Sequence, residues 1–262
     1  MIDIFPSRLP VFLSRPAEEA PCTVTLAEHV LLTGVGRWRA DRIVQPRTVG
    51  VSCAGHVLLR GDPERLTPEE LTPWADSYVD APARFLPLLD SAFDRLTPWE
   101  RMVWTQQAEP QPHSVPRGVT VRRLGPADAH ALTALAPDRG WLAASWGGPR
   151  GLAASGHCWA ALDRGGRPLA LACTYFRGAR YEEVAAFTTP DHRRHRLALA
   201  CVTALSADII SRGHMPSWDC SVHNRASRLL AWSAGFRLVR EYVHYAVGQP
   251  VTRGGHAEGR AA

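Results

Sequence analysis

Between residues 117 and 248 the apolar residues change period again and again, and this alternation is the strongest constraint on what the chain can fold into. VTVRRL reads as a strand, and Pro126, Ala127 and Asp128 open a helix that runs through HALTALA. CWAALD and LALACTYF, joined by the turn RGGRP, suggest a hairpin, and YEEVAAFT adds a strand. The run from Arg196 to Arg212 is predicted as an amphipathic helix. Ala198, Cys201, Val202, Leu205 and Ile209 share one face, and Gly213 stops it. SWDCSV is a short strand, Asn224 to Ser233 a helix, and FRLVREYVHYAV a long final strand. The order is β-α-α-β-β-β-α-β-α-β, which calls for a mixed α/β architecture with a sheet flanked by helices.

One junction in this pattern carries a chemical signal. Where YEEVAAFT ends and the helix begins, the chain reads TTPDHRRHR, with His192, Arg193, Arg194, His195 and Arg196 in succession. Two readings stay open: a solvated turn, or a holder for something negative. The second has a physical basis, because a helix start offers unpaired N–H groups and the positive end of a dipole.

The first half also looks mixed α/β. VGVSC and HVLLR are β-like, Thr67-Pro68-Glu69-Glu70 opens like a helix, FLPLLDSAFDRL is apolar at helical spacing, and RMVWTQ reads as a strand. GVGRWR, from Gly34 to Arg39, reads as a turn. Three prolines in residues 108 to 118 mark a linker, and the Gly/Ala-rich tail from Val251 is expected to be disordered. The expected division is 1–115, 116–250 and a tail at 251–262.

The chain of 262 residues has a net charge of +5, and all 30 basic residues are arginine. They are scattered among acids and not gathered in stripes with aromatics, which argues against nucleic acid as a partner. No C-x-x-C occurs among the six cysteines. His192 and His195 have no third ligand nearby and cationic neighbours, so no metal is expected. No segment is long and apolar enough to span a bilayer, and the first residues lack signal-peptide features. The expectation is a cytoplasmic protein with no membrane partner. Oligomeric state is not legible.

The element order and three local signatures resemble the GNAT acyltransferase family. The turn is Pro190-Asp191-His192-Arg193-Arg194-His195-Arg196-Leu197-Ala198, followed by Asn224-Arg225-Ala226-Ser227 and then Gly235-Phe236. The segment MPSWDCSVHNRASRLLAWSAGF is similar to the subgroup of the zwittermicin-resistance acetyltransferase, whose first half is itself sometimes a degenerate GNAT-like domain. The resemblance implies a GNAT fold with a central mixed, splayed sheet. It also implies acetyl-CoA or another acyl-CoA as donor, a small-molecule amine as acceptor, direct transfer, and a place in secondary metabolism. Phe187, Thr188, Thr189, Arg193, Arg194, His195, Arg196, Leu197, Ala198, Asn224 and Ser227 would hold the donor. The family's turn glycines are replaced by Arg194 and Arg196, whose guanidinium groups can grip phosphate in bidentate fashion.

Attack on a thioester needs a neutral amine, hence a proton acceptor. By position in the family Glu182 is the first choice for the base, sharing a strand face with Thr188, and Glu183 is the second. The general-acid tyrosine of many relatives is replaced by Ala231, beside Trp232, and Tyr245 is taken as a substitute. Tyr242, His223 and water are further possibilities. Asp219 and Trp146 are assigned to the acceptor pocket, expected between the two halves. Two alternatives remain: an acyl carrier protein as donor, with one phosphate on its pantetheine arm, and a non-catalytic sensor or altered chemistry.

Overall fold

The computed structural model describes residues 1–7, 10, 13, 23–135 and 140–249. The tail expectation therefore lies outside the described residues. The first half runs β1 (Ile2–Ile4), α1 (Thr25–Thr33), β2 (Arg37–Ala40), β3 (Thr48–Cys53), β4 (His56–Gly61), β5 (Tyr78–Asp80), α2 (Leu86–Ala92) and β6 (Leu96–Gln106). The second half runs β7 (Thr120–Arg123), α3 (Ala129–Thr133), α4 (Trp141–Ala144), α5 (Pro149–Ser155), β8 (Cys158–Leu162), β9 (Pro168–Arg177), β10 (Tyr181–Thr188), α6 (Leu197–Ser211), β11 (Met215–Ser221), α7 (Arg225–Ser233) and β12 (Phe236–Val247).

All these strands join one sheet, ordered β1-β2-β3-β4-β5-β12-β6-β11-β10-β9-β8-β7. Read from either edge, the order repeats. β1 to β5 match β7 to β11, with parallel pairs only at β4·β5 and β10·β11. At the centre the halves exchange their last strands. β6, from the first half, lies between β11 and β12, antiparallel to both. β12, from the second half, pairs with β5. The division near residue 115 thus falls in a connection, while the sheet runs across it.

Packing follows the same repeat. Val184, Leu197, Val202, Leu205 and Ile209 form a core under α6, and Met102 and Trp104 of β6 belong to it. A second core is shared by both halves. Ala27 and Val30 of α1 pack there with Val49 and Val51 of β3 and with Leu142, Leu171 and Tyr175. Buried His29 seals the contact, with Nε2 2.8 Å from the Ser145 carbonyl and Nδ1 accepting from the Arg177 N–H at 3.0 Å.

The repeat is unequal where α6 would recur. Thr67 does cap a helical segment, with Glu70 reaching back to its N–H at 2.9 Å, but residues 68–74 form a 3-10 helix. Pro73 inside it brings no N–H to continue an α-helix. Trp74 fills the gap beside Gly50, where an added Cβ would lie 2.0 Å from its ring. With Glu69 and Glu70 in its first turn, this end suits no anion.

Candidate functional site

β10 and β11 pair only from Tyr181 to Glu183, against Met215 to Ser217. Beyond that point β10 stays on β9 as far as Thr188, and β11 stays on β6 as far as Ser221. The two strands part, and a cleft of about 830 Å³ opens between them. Glu183 stands at its apex, and Arg193, Arg194 and Arg196 line its outer end.

The outer end is built by an unusual turn. Pro190–His192 make a short 3-10 turn, and Arg194 and Arg196 follow at φ 68° and 55°. This is left-handed backbone that glycine adopts freely and other residues adopt at a cost of about 1 kcal/mol or more. Arg196 is the residue before α6, and no side chain caps that helix. The first-turn residues Leu197, Ala198 and Leu199 line the cleft, so this end of the helix is turned toward it. One Arg196 nitrogen, Nη1, donates to the Pro112 carbonyl at 2.8 Å and ties the linker across the turn. By contrast α7 is capped by its own Asn224, whose Oδ1 accepts the Ser227 N–H at 3.0 Å. Ser227 Oγ in turn accepts from Trp218 Nε1 at 2.9 Å. Asn224 and Ser227 still form part of the cleft wall, as do Phe187 and Thr188.

Several sequence expectations need correction. Thr189 directs both its N–H and its hydroxyl to the Leu169 carbonyl, at 2.9 and 3.0 Å, so it is turned to β9 and not into the gap. By strand alternation the backbone groups of Thr188, Ala186 and Val184 face the gap instead. His195 is exposed and outside the cleft lining. Trp146 donates Nε1 to the Thr174 carbonyl at 2.7 Å and stacks on His157, so it is a packing residue. Trp141 lines the cleft in its place. Tyr245 packs into the core of the first half, on the far side of β12 from Tyr242, and cannot reach the cleft.

The largest correction concerns the base. Glu182 points to the α6 face of β10 and is 0% exposed. Arg212 Nη2 donates to it at 2.8 Å and Thr174 Oγ1 at 2.7 Å, and His214 Nδ1 lies 2.9 Å away. Burial alone would raise its carboxyl, but Arg212 and Thr174 outweigh that and hold it below the usual range. Burial pushes neighbouring His157 down to about 4, so it is neutral at pH 7. Arg212 also bonds Asp208, which bonds Arg123, tying α6 to β7. This is a structural ion network, outside the cleft lining. Glu182→Ala is expected to destabilise the fold by about 1–3 kcal/mol, since it removes the buried acceptor of Thr174 and Arg212 and leaves half-buried Arg212 to Asp208 alone. Because the folded carboxyl is depressed, its stabilisation is present above the unfolded value of about 4.3 and lost as pH falls through the folded value. Urea unfolding at pH 7 and at acid pH tests this: the gap between variant and parent should close in acid. Equal stability at pH 7 would refute the structural role.

Glu183 lies on the opposite face, toward the first half, and lines the cleft. Near it stands Arg101 of β6, 4% exposed, whose Nε donates to Asp219 Oδ1 at 2.7 Å. Tyr242 donates to the other oxygen, Asp219 Oδ2. Burial alone would lower the Arg101 guanidinium, but Asp219 raises it. Burial, and then Asp219, raise the Tyr242 phenol well above its ordinary value. Both Asp219 oxygens are therefore engaged, and its expected role as an amine-binding group becomes one of holding Arg101 and Tyr242. Trp99, Arg101 and Gln111 bring the first half and the linker into the cleft. Sequence reading missed them because Arg101 opens an ordinary strand, RMVWTQ, Trp99 stands just before it and Gln111 lies in the linker, and none of these announces an exchange.

A profile of the GNAT acetyltransferase family matches residues 19–245. The chain belongs to the GNAT acetyltransferase family. It is 58% identical over 214 residues to an uncharacterized N-acetyltransferase of the mutA 5′ region of Streptomyces virginiae, covering 82% of this chain and 90% of that protein. It is 28% identical over 132 residues to the uncharacterized N-acetyltransferase YdfB of Bacillus subtilis, covering 50% and 49%. Among solved structures, a GCN5-related N-acetyltransferase-like protein from Streptococcus suis superposes with a TM-score of 0.69 at 18% identity, over 90% of this chain and 97% of that one. A tandem GNAT protein from the clavulanic acid biosynthesis pathway superposes with a TM-score of 0.56 at 12% identity, over 90% of each. These two show the fold, a mixed α/β GNAT sheet flanked by helices. Against the GNAT pattern, Arg194 and Arg196 hold glycine positions and keep a glycine-like backbone. Ala231, at the tyrosine position, is buried, and Trp232 beside it points outward under Arg237, 3.8 Å from its ring centre.

Proposed function

We propose that this GNAT acetyltransferase moves an acetyl or other short acyl group from coenzyme A to the amine of a small molecule, by direct attack within a ternary complex. The observation that carries the reading is the parting of β10 and β11 immediately after Glu183, with an uncapped helix end and three arginines at the mouth. Residues at hand fit the donor. The first turn of α6, Arg193 and Arg194 would meet the pyrophosphate, and the gap-facing backbone from Val184 to Thr188 would pair with the pantetheine arm. The acyl thioester supplies the electrophile. Glu183 would take a proton from the acceptor ammonium, so that its nitrogen lone pair becomes available. Trp99, Trp141 and Arg101 would form the acceptor wall, so the first half completes the site. The resemblance of residues 215–236 to the zwittermicin-resistance type points to the same substrate class, and a cytoplasmic role in secondary metabolism accords with it.

Titration calorimetry with coenzyme A at two salt concentrations tests the donor. The unmodified protein should bind it, more weakly at high salt, because exposed charge contacts are screened over about 8 Å at physiological ionic strength. Since Arg194 and Arg196 already hold left-handed backbone, Arg194→Gly with Arg196→Gly removes charge without asking the turn to move. Affinity should fall, each lost charge-assisted contact contributing roughly 1.5–3 kcal/mol, and its salt dependence should flatten. No uptake by the parent, with uptake restored in the double variant, would hand the function to the sensor or altered-chemistry alternative. Uptake only from a pantetheinylated carrier protein would assign the donor to that class.

A further inference from the structure

Behind Glu183 lies a second, smaller cavity of about 40 Å³. Its walls bring together Glu183 and Asp219 of the second half, Arg101 of β6, Asp80 of β5, and Tyr242 and His244 of β12. His56 of β4 closes it on the first-half side. Glu183, Arg101 and Asp219 also line the main cleft, so they form the partition between the two spaces. The polar lining and a volume above the roughly 10–15 Å³ that one water needs suit the chamber to hold water. The far side reaches solvent: the Asp80 side chain is 20% exposed, in an ion pair with Arg60 at 2.9 Å.

Acyl transfer leaves a proton to dispose of. An ammonium brings three N–H protons. The amide keeps one, the departing thiolate takes one, and one must leave. Glu183 faces the reactants on one side and this chamber on the other. We propose that the chamber is the proton exit, in which water carries the surplus proton from Glu183 to His244 and so to solvent beside Asp80. In the step, Glu183 Oε takes a proton as the N–H bond breaks. The chamber water accepts that proton and passes one of its own to an imidazole nitrogen of His244, and the imidazolium releases a proton at the outer side. No oxidant or other co-reactant is needed.

The groups facing His244 leave it as the carrier. On its own strand, Tyr242 lies edge-on at 4.9 Å between ring centres and is bonded to Asp219, and Arg240 covers the Tyr242 ring. From β6 and β11, Arg101 and Asp219 are engaged with each other. From β5 and β4, Asp80 is paired with Arg60, and His56 is 6.0 Å away, stacked on Tyr78. Imidazole is the side chain that changes charge near neutral pH, and of the two imidazoles lining the chamber His244 lies against Tyr242 and the partition, whereas His56 is stacked on Tyr78 at the first-half wall. The placement also gives the first half a share in the chemistry, through a space that exists only because β12 lies against β5.

This inference rests on the acyl-transfer reading, and its test is separable from the donor titration. His244→Gln should lower kcat about 10²-fold, the lower part of the range for a positioned proton-transfer group, with both KM values unchanged. In His244→Ala, which leaves room for the ring, added imidazole should restore much of the loss, which a purely structural defect would not allow. In the unmodified enzyme, single-turnover rates in H2O/D2O mixtures should follow a bowed curve, as expected for more than one proton in flight. That measurement decides the matter if His244→Gln does not fold. Full turnover in the variant, a slow variant indifferent to imidazole, or a straight-line isotope dependence would each overturn the proposal. A parent protein that binds coenzyme A but acylates no amine would overturn it together with the reading it rests on.

Discussion

Replacing Glu183 with Gln is expected to lower turnover at neutral pH by about 10²–10⁴-fold, the contribution of a positioned general base. Coenzyme A affinity should stay near that of the parent, because the donor contacts lie at the other end of the cleft. The amide keeps the shape of the carboxylate but cannot accept the ammonium proton, so the loss should appear in kcat at every donor concentration. Glu183→Asp should retain part of the activity, since the proton acceptor remains but is withdrawn by one methylene. Glu182→Gln provides the contrast. That residue sits on the other face of the same strand, bonded to Arg212 and Thr174, and its replacement should affect stability before it affects turnover. Steady-state kinetics on the three variants decide between them. Undiminished turnover in Glu183→Gln would remove Glu183 from the chemistry and leave water alone as the acceptor.

Residues 116–250, expressed alone, are expected not to form a stable monomer. The division expected near residue 115 treats this half as a unit of its own; the exchanged strands argue otherwise. The fragment would lack β6, which stands between β11 and β12. Met102, Val103 and Trp104 are 8%, 0% and 7% exposed in the whole chain. Burying such side chains contributes about 1.5–3 kcal/mol each, a sum comparable with the 5–15 kcal/mol net stability of a domain. Removing β6 also bares the edges of β11 and β12, which invites association. Size-exclusion chromatography with light scattering and a thermal melt should show aggregates or oligomers without a cooperative transition. Co-expression with residues 1–115 should restore a soluble complex. A monomeric fragment that melts cooperatively would show that β6 is dispensable to the fold.

Much of the second half was legible because its elements are long and cleanly periodic. The helix from Leu197 to Ser211 was readable from its apolar face and Gly213, and the final strand from its length. The first half was less so. Thr67 to Glu70 announced a helix start, but Pro73 limits the segment to a 3-10 turn. RMVWTQ is the end of a strand that begins at Leu96, and nothing in it says which half will receive it. The turn arginines showed that glycines were missing; that the backbone holds the glycine conformation regardless is visible only in the structure.

The glutamate pair shows where sequence and tertiary structure divide the work. Alternation along β10 determined that Glu182 and Glu183 face opposite ways, because successive strand residues must. The same local rules determined the helix ends, the strand set and the basic turn, each of which depends on neighbours a few residues away. Which glutamate meets the cleft depends on which side of the sheet α6 covers, and that is settled by packing across the whole molecule. Arg101 and Asp219 are 118 positions apart, and they meet only because β6 and β12 change places at the centre of the sheet. A contact of that range leaves no periodicity in the chain, so tertiary structure alone decided it.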